Sequence, residues 1–230
     1  LKIDEMIYPL AGTDPPPMTA TLPPLTREFP GGQRLCDAPL IHTFDGLLSQ
    51  PECEHIIALA RPQIRRAQVS GVTGGSLSKG RSNTLAWIRQ DIDATVQAVA
   101  ERLAARVGLP LSHAESLQVI HYDTGEEYRP HFDAYDLTTE KGRRYTARGG
   151  QRLVTLLAYL SNVAEGGATG FPHLGIDVAP RRGKVLLFHN CKPGTTTRDP
   201  HSYHQGKAPV RGDKWAFNLW FHERPYQEPR

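Results

Sequence analysis

The feature that most constrains the fold is a series of short strand-like segments that begins after Ser112. Each is rich in β-branched, aromatic or alternating apolar residues, and Gly, Pro or Asp residues separate it from the next. Such a series is typical of a β-sandwich or barrel, and the 19 prolines and 21 glycines of the chain argue against a helical bundle. The segments are residues 116–123, 129–134, 151–160, 174–179, 183–189 and 213–222.

Two helices are predicted before these strands. Ser49 and Glu52 form a capping box with Pro51 in the first turn, so a helix begins there and buries an apolar face that includes Ile56. A second apolar stripe at helical spacing predicts a helix over residues 93–107, ended by a Gly-Leu-Pro sequence. The order predicts an α+β, mainly β fold, in which a double-stranded β-helix (jelly roll) carries the N-terminal helices on its outside.

The prolines and glycines divide the chain further. Residues 1–30 contain seven prolines, which exclude a helix or a central strand there. We therefore interpret residues 1–38 as a proline-rich N-terminal arm or linker, and residues 39–230 as one domain. The Gly/Ser-rich residues 69–80 predict a mobile loop.

Charge and cysteine content exclude several classes of protein. A net charge of +3 is too small to indicate a nucleic-acid surface or a basic membrane anchor. Three cysteines, none of them in a CxxC pair, do not form a disulfide framework, which favours a cytoplasmic protein. No apolar run approaches the roughly 20 residues of a membrane span. We expect a monomer or homodimer without nucleic-acid or membrane partners.

A histidine and a carboxylate share one strand face. His131 and Asp133 lie two residues apart, so both side chains point to the same side of a strand and can ligate one metal ion. A third ligand must come from far along the chain, and the spacing leaves both His201 and His204 open. Two histidines and one carboxylate form the facial triad of non-haem Fe(II) oxygenases.

The last predicted strand adds a cation to the same chemistry. Lys214 alternates with the apolar residues Trp215, Phe217, Leu219 and Phe221, which form the opposite, core face. A lysine on an inward face is costly unless an anion pairs with it, and a dicarboxylic cosubstrate would supply one. The alternative is an edge strand whose lysine is solvated.

Ordered motifs between Arg81 and Pro225 resemble the prolyl 4-hydroxylase-type family of Fe(II)/2-oxoglutarate dioxygenases, and are most similar to its stand-alone bacterial members. They cover about 145 residues, which makes their joint occurrence by chance negligible. Ala168 and Asn83 stand where the family usually has Glu and Ser, which leaves the primary substrate open. The matching segments are 115–122 (ESLQVIHY), 125–133 (GEEYRPHFD), 149–155 (GGQRLVT), 159–161 (YLS), 166–172 (GGATGFP), 199–204 (DPHSYH) and 209–215 (PVRGDKW).

The resemblance implies a role for particular residues. His131, Asp133 and His204 are the expected iron ligands, with His201 only a neighbour, and no further catalytic side chain is expected. Residues 69–80 match the mobile lid of the family. The implied 2-oxoglutarate site consists of Lys214, Tyr122 and Thr169. The implied peptide-binding residues are Arg81, Tyr128, Arg152, Trp220 and His222.

The resemblance also implies the reaction. The expected enzyme uses Fe(II), 2-oxoglutarate and O2, with ascorbate as a candidate reductant, and releases succinate and CO2 while it hydroxylates an unactivated C–H bond. The expected substrate is a prolyl residue in an extended peptide or protein segment, which would make Pro15–Pro17 or Pro23-Pro24 of the arm substrate-like. Two alternatives remain: a hydroxylase of a free amino acid or small metabolite at the same iron, and a non-catalytic iron or 2-oxoglutarate sensor.

Overall fold

The computed structural model describes residues 22–66 and 80–228, and these form three α-helices and fourteen β-strands. Pro15–Pro17 and nearly all of the loop 69–80 lie outside the described residues. The helices are α1 (Gln50–Ala60), α2 (Ala94–Val107) and α3 (Glu140–Thr146). The strands are β1 (Gln33–Asp37), β2 (Leu40–Phe44), β3 (Arg65–Arg66), β4 (Thr84–Ile88), β5 (Leu117–Tyr122), β6 (Tyr128–His131), β7 (Arg152–Tyr159), β8 (Glu165–Gly166), β9 (Thr169–Phe171), β10 (Ile176–Val178), β11 (Val185–His189), β12 (His204–Gly206), β13 (Pro209–Arg211) and β14 (Lys214–His222).

Two antiparallel sheets face each other. The larger sheet has eight strands in the order β1-β2-β11-β7-β14-β5-β4-β3, and the smaller has the order β10-β9-β12-β6. Strands β13 and β8 form a separate antiparallel pair. The predicted fold class is confirmed: the protein is mainly β, with helices outside a jelly-roll core.

Each face of the larger sheet has its own hydrophobic core. Helices α1 and α2 cover the outer face, where Ile56 and Leu103 belong to the same buried cluster as Phe217 of β14. The inner face, toward the smaller sheet, buries a second cluster that includes Phe171 and Phe188. The alternation of side chains along β14 therefore separates a helix-covered core from an interior between the sheets.

Both predicted helices begin and end as the sequence indicates. The Ser49 side chain accepts a hydrogen bond from the Glu52 backbone, and the Glu52 side chain bonds the Ser49 backbone in return, so the capping box is complete. Asp93 caps α2, and Gly108 ends it with φ of +78°, a conformation that glycine adopts without a Cβ clash.

The inner part of the predicted arm packs on the body. Phe29 is buried against the rings of His42 and Phe44, and the Thr26 backbone donates to the Val107 carbonyl. Strand β1 pairs with β2 as the edge of the larger sheet. The arm was predicted to run to residue 38, whereas the chain joins the folded body well before that residue because its apolar side chains have a core to enter.

Among the residues that the structure describes, no helix is both long and apolar enough to cross a bilayer.

Candidate metal and cosubstrate site

Strands β6 and β12 bring the predicted metal ligands together. Their antiparallel register sets His131 opposite His204, and Asp133 follows directly after β6. One ligand atom from each of these three residues lies within 4.8 Å of the other two. His201 is exposed on a short 3-10 turn and is not part of this cluster, so the pairing of strands selects His204.

Backbone carbonyls orient both imidazoles. His131 Nδ1 lies 2.9 Å from the Arg129 carbonyl oxygen, and His204 Nδ1 lies 3.0 Å from the Ser202 carbonyl oxygen. Because a carbonyl only accepts, each Nδ1 carries the hydrogen and each Nε2 is left as a free lone pair. The Nε2 atoms of His131 and His204 point to the Asp133 carboxylate, 3.7 Å from Oδ1 and Oδ2 respectively.

The electrostatics of the cluster suit a divalent cation. Burial and the neighbouring His204 lower the pKa of His131, which keeps its ring neutral. Burial alone would raise the pKa of Asp133, but His204 and His131 hold it below the usual value, so the carboxylate is ionised. Two imidazoles and one carboxylate are the donor set of a non-haem Fe(II) centre, and the residues fit that metal.

Lys214 lies in the interior between the sheets. It is only 1% exposed, and its Nζ lies 5.1 Å from the Tyr122 ring centroid and 5.5 Å from that of Tyr159. Burial lowers the pKa of Lys214 to about 7, and no charged partner offsets this burial in the described part of the chain. The alternative of a solvated lysine on an edge strand is wrong, because β14 lies between β7 and β5.

Hydroxyl groups line the same interior. The Tyr159 hydroxyl donates to Thr169 Oγ1 at 2.8 Å, and Thr169 is 2% exposed. Tyr122 is buried directly across from Lys214 in the strand register, and its hydroxyl approaches Gly206 of β12 so closely that a Cβ there would lie 3.0 Å from the oxygen. An ammonium beside hydroxyls in a dry pocket is suited to one carboxylate of a dicarboxylic acid.

A buried ion pair stands beside the cluster. Arg152 Nε and Nη2 donate to Glu115 Oε1 and Oε2 at 2.5 and 3.0 Å, and the guanidinium stacks 3.8 Å over the Trp220 ring. Burial opposes the charge of Glu115, but Arg152 lowers its pKa below the usual value. The arrangement fixes the guanidinium and the indole as one rigid unit.

His222 occupies a different place from the one expected of a peptide-binding residue. It is fully buried, with Nδ1 3.0 Å from the Gly150 carbonyl and Nε2 2.8 Å from Glu115 Oε1. The structure thus sets His222 behind Glu115, where it supports the carboxylate that holds Arg152. Direct contact of His222 with a substrate would require this interior to open.

Arg81 and Tyr128 form a second stack next to the histidines. Arg81 Nε donates to Asn83 Oδ1 at 2.8 Å and its Nη2 donates to Gln118 Oε1 at 3.2 Å. Its guanidinium lies 4.5 Å from the Tyr128 ring centroid, and Tyr128 stacks on His131 at 3.6 Å. Two neutral amides and the Tyr128 side chain hold Arg81 in place.

Several residues of the site were not expected from the sequence. Trp87 is 45% exposed, pairs with Gln118 across β4 and β5, and lies 6.2 Å from Trp220. The alternation of Leu85 and Trp87 on one face of β4 was the signal that could have found it. In the sequence Glu115 is only part of a motif, because its role depends on Arg152 and His222, which are far away along the chain.

Comparisons with known proteins agree with this chemistry. Residues 117–222 match the model of the 2OG-Fe(II) oxygenase superfamily. Probable prolyl 4-hydroxylase 3 of Arabidopsis thaliana is 34% identical over 210 residues, which are 82% of this chain and 71% of the relative. Prolyl 4-hydroxylase 5 of the same plant is 33% identical over 82% of this chain and 70% of its own length.

Solved structures show the same fold. A viral collagen prolyl hydroxylase from Paramecium Bursaria Chlorella virus-1, in its 2-oxoglutarate complex, has a TM-score of 0.64 and 25% identity over 81% of this chain and 97% of that chain. A Pseudomonas putida prolyl-4-hydroxylase has a TM-score of 0.54 at 18% identity over 79% of this chain and 92% of that chain, a likeness of fold. The predicted resemblance is confirmed: the chain belongs to the prolyl 4-hydroxylase family of Fe(II)- and 2-oxoglutarate-dependent dioxygenases, oxidoreductases that also consume O2.

Proposed function

We propose that this chain hydroxylates a prolyl residue within a peptide or protein, with His131, Asp133 and His204 as the iron ligands and Lys214 as the anchor of 2-oxoglutarate. The observation that carries the proposal is the buried Lys214 ammonium, which has no charged partner among the described residues and lies between the same two sheets as the His-Asp-His cluster. A buried, unpaired cation is costly, and an anionic cosubstrate removes that cost.

Each residue of the site has a definite task. Bound Fe(II) supplies the activation of O2, coupled to decarboxylation of 2-oxoglutarate to succinate and CO2. Lys214 binds the far carboxylate of 2-oxoglutarate, with the hydroxyl of Thr169 and that of Tyr122 as neighbours. Trp220 and Arg152 form a rigid wall that keeps water from the reacting C–H bond.

The mouth of the site fits an extended peptide. The half-exposed ring of Trp87 presents an aromatic face on which a proline ring stacks, and the guanidinium of Arg81, held over Tyr128, offers N–H donors for peptide carbonyls. Aromatic surfaces with a few donors are the usual way to bind a polyproline II segment, whose backbone is already extended. The names of the relatives, all prolyl 4-hydroxylases, support the same substrate.

Two other functions are less well supported. A hydroxylase of a free amino acid needs a closed pocket, whereas the half-exposed Trp87 indicates an open mouth. A non-catalytic sensor is disfavoured because all three candidate ligands and Lys214 are present and oriented.

The domain and its cellular setting belong to the same proposal. We place the start of the single dioxygenase domain before β1, since Phe29 enters its core. Cys36, Cys53 and Cys191 are all free thiols, which supports a reducing, cytoplasmic location. A monomer or homodimer is sufficient, because one chain supplies every candidate ligand.

The test is a single-turnover experiment. Protein loaded anaerobically with Fe(II) and 2-oxoglutarate is mixed with O2 and a proline-rich peptide, and succinate and peptide mass are measured. We expect one oxygen atom added to the peptide per succinate, and none to a matched peptide with alanine in place of proline. Succinate without peptide oxidation would contradict the peptide substrate, and no succinate even at saturating 2-oxoglutarate would contradict the enzyme assignment.

A further inference from the structure

Two buried polar residues behind the cluster have no part in the function described so far. Thr155 of β7 and Asn190, which directly follows β11, are both fully buried. Thr155 Oγ1 donates to Asp133 Oδ2 at 2.7 Å, and Asn190 Nδ2 donates to Thr155 Oγ1 at 2.9 Å. The single hydroxyl hydrogen is committed to the carboxylate, and the amide fills a hydroxyl lone pair, so the chain of hydrogen bonds has one direction.

These hydrogen bonds restrain the orientation of the Asp133 carboxylate. Oδ2 accepts the Thr155 hydroxyl and lies 3.7 Å from His204 Nε2, and Oδ1 lies 3.7 Å from His131 Nε2, so each oxygen faces one histidine. Rotation of the carboxylate would break a charge-assisted hydrogen bond between two buried groups.

The backbone of Asn190 reaches the other arm of the cluster. Its carbonyl oxygen accepts from the Asp199 amide at 3.0 Å, which begins the Asp199–Ser202 turn, and it lies 3.2 Å from Ser202 Oγ, whose nearer acceptor is the Asp199 carbonyl at 2.8 Å. The Ser202 carbonyl in turn accepts the Nδ1 hydrogen of His204. Asn190 therefore contacts, through one intermediate residue each, the carboxylate ligand and the distal histidine ligand.

We propose that Asn190 is a positioning residue that sets Asp133 and His204 at a fixed separation, through the Thr155 hydroxyl on one side and the Ser202 turn on the other. The proposal rests on the proposed function only in taking these residues as metal ligands. The positioning role explains why the polar side chains of Thr155 and Asn190 are buried together, at positions where two apolar side chains would pack as well. Partners that orient a ligand in this way typically change metal affinity by about 10- to 100-fold when removed.

The experiment measures Mn(II) binding to the iron-free protein by electron paramagnetic resonance, which requires no catalytic turnover. T155V keeps the shape of the side chain and removes the hydroxyl, T155S restores the hydroxyl, and N190A removes the amide but keeps the backbone carbonyl. T43V is the matched control, because Thr43 is also buried in the larger sheet but lies on β2.

We expect T155V and N190A to weaken Mn(II) binding by about 10- to 100-fold, with T155S and T43V close to the parent protein. The T155V/N190A double variant should be no weaker than T155V alone, because both changes break the same path. S202A changes the turn that leads to His204 and not the path through Thr155. Its fold loss of Mn(II) affinity should therefore multiply with the fold loss in T155V.

The outcomes distinguish a failure of the proposed metal site from a failure of the proposed positioning role. If D133A binds Mn(II) as tightly as the parent protein, the metal site itself is misplaced. If D133A loses binding while folded T155V retains it, only the positioning role is overturned, and the hydroxyl merely satisfies buried polar groups. Should N190A fail to fold, the comparison of T155V with T155S still decides, since valine and threonine are equally good strand residues.

Discussion

At the scale of single residues, Lys214 is a buried cation that no charged group in residues 22–66 or 80–228 compensates. Burial lowers its pKa from 10.5 to about 7, so the free protein loses this charge as the pH rises through about 7. The unfolded chain still holds the proton up to about pH 10, so the free protein gains stability with rising pH between these values, and below pH 7 the full cost of the buried cation is present.

The first prediction concerns the binding of 2-oxoglutarate. Its carboxylate requires the charged form of Lys214, so affinity should fall as the pH rises above about 7. K214R, whose guanidinium stays charged, should flatten this dependence, and K214M should abolish binding without unfolding the protein. Calorimetry across pH with Mn(II) in place of iron measures all three, and a pH-independent affinity in the parent protein would contradict the prediction.

A second residue-scale prediction concerns Glu115, which compensates Arg152 in the interior. E115Q keeps the shape but leaves Arg152, whose side chain is only 17% exposed, without its counter-charge, which costs up to about 3–5 kcal/mol. The matched control is E127Q, because Glu127 pairs with Arg129 on the surface, where such a pair contributes at most about 1 kcal/mol. Urea unfolding of both variants checks this, and equal losses would show that Arg152 is not truly desolvated.

At the scale of elements, β4 extends the site beyond the ligands. Its face that carries Trp87 continues the inner surface of β5 and β14, whereas its other face packs on the helices through Ala86 and Ile88. One short strand therefore contributes to both cores, and its exposed tryptophan is available to a substrate.

The third prediction tests that strand. W87A should raise the KM for a proline-rich peptide several-fold and leave 2-oxoglutarate binding unchanged, because Trp87 lies toward Trp220 and away from Lys214. The matched control is I92A, since Ile92 is similarly exposed at 52% but belongs to the turn before α2. Steady-state kinetics measure the KM values for the peptide and for 2-oxoglutarate in both variants. Equal effects of W87A and I92A on the peptide KM would show that Trp87 does not contact the peptide.

Elements also show what sequence reasoning can reach. The capping box of α1, the stripe of α2 and the alternation along β14 are local patterns, and the structure contains all three elements within a few residues of the expected bounds. Strands such as β9 and β12 are three residues long, too short to carry a period, and the seven-residue α3 is similarly short. Strands β9 and β12 pair with each other and with β10 and β6, so the chain's long-range folding brings their partners to them.

The residues of the site also differ in whether local sequence or long-range contacts determine their place. The pairing of His131 with Asp133 was predicted from a period of two within one strand; the two side chains do meet, although β6 ends at His131 and Asp133 lies two residues beyond it. The choice of His204 over His201 depends on the register between β6 and β12, which local sequence does not encode and which the family motif supplied. Asn190 and Glu115 gain their roles only from folded neighbours tens of residues away.

At the scale of the whole molecule, burial and proline content predict different boundaries for the domain. Proline-rich sequence predicts a separate arm as far as residue 38, yet Phe29 lies in the aromatic cluster with His42 and Phe44, and β1 forms the edge of the larger sheet. From these contacts we expect residues 29–37 to unfold together with the domain.

The last prediction follows from that packing. F29A should lower the free energy of unfolding by about 3–5 kcal/mol, because the removed ring leaves a cavity against His42 and Phe44. V210A, at a position that is 60% exposed, should change it by less than about 0.5 kcal/mol. A chain shortened to residues 39–230 should lose more than F29A, since it loses β1 as well. Equilibrium unfolding in urea measures all three, and a shortened chain as stable as the full one would restore the boundary at residue 38 and make the entire arm a linker.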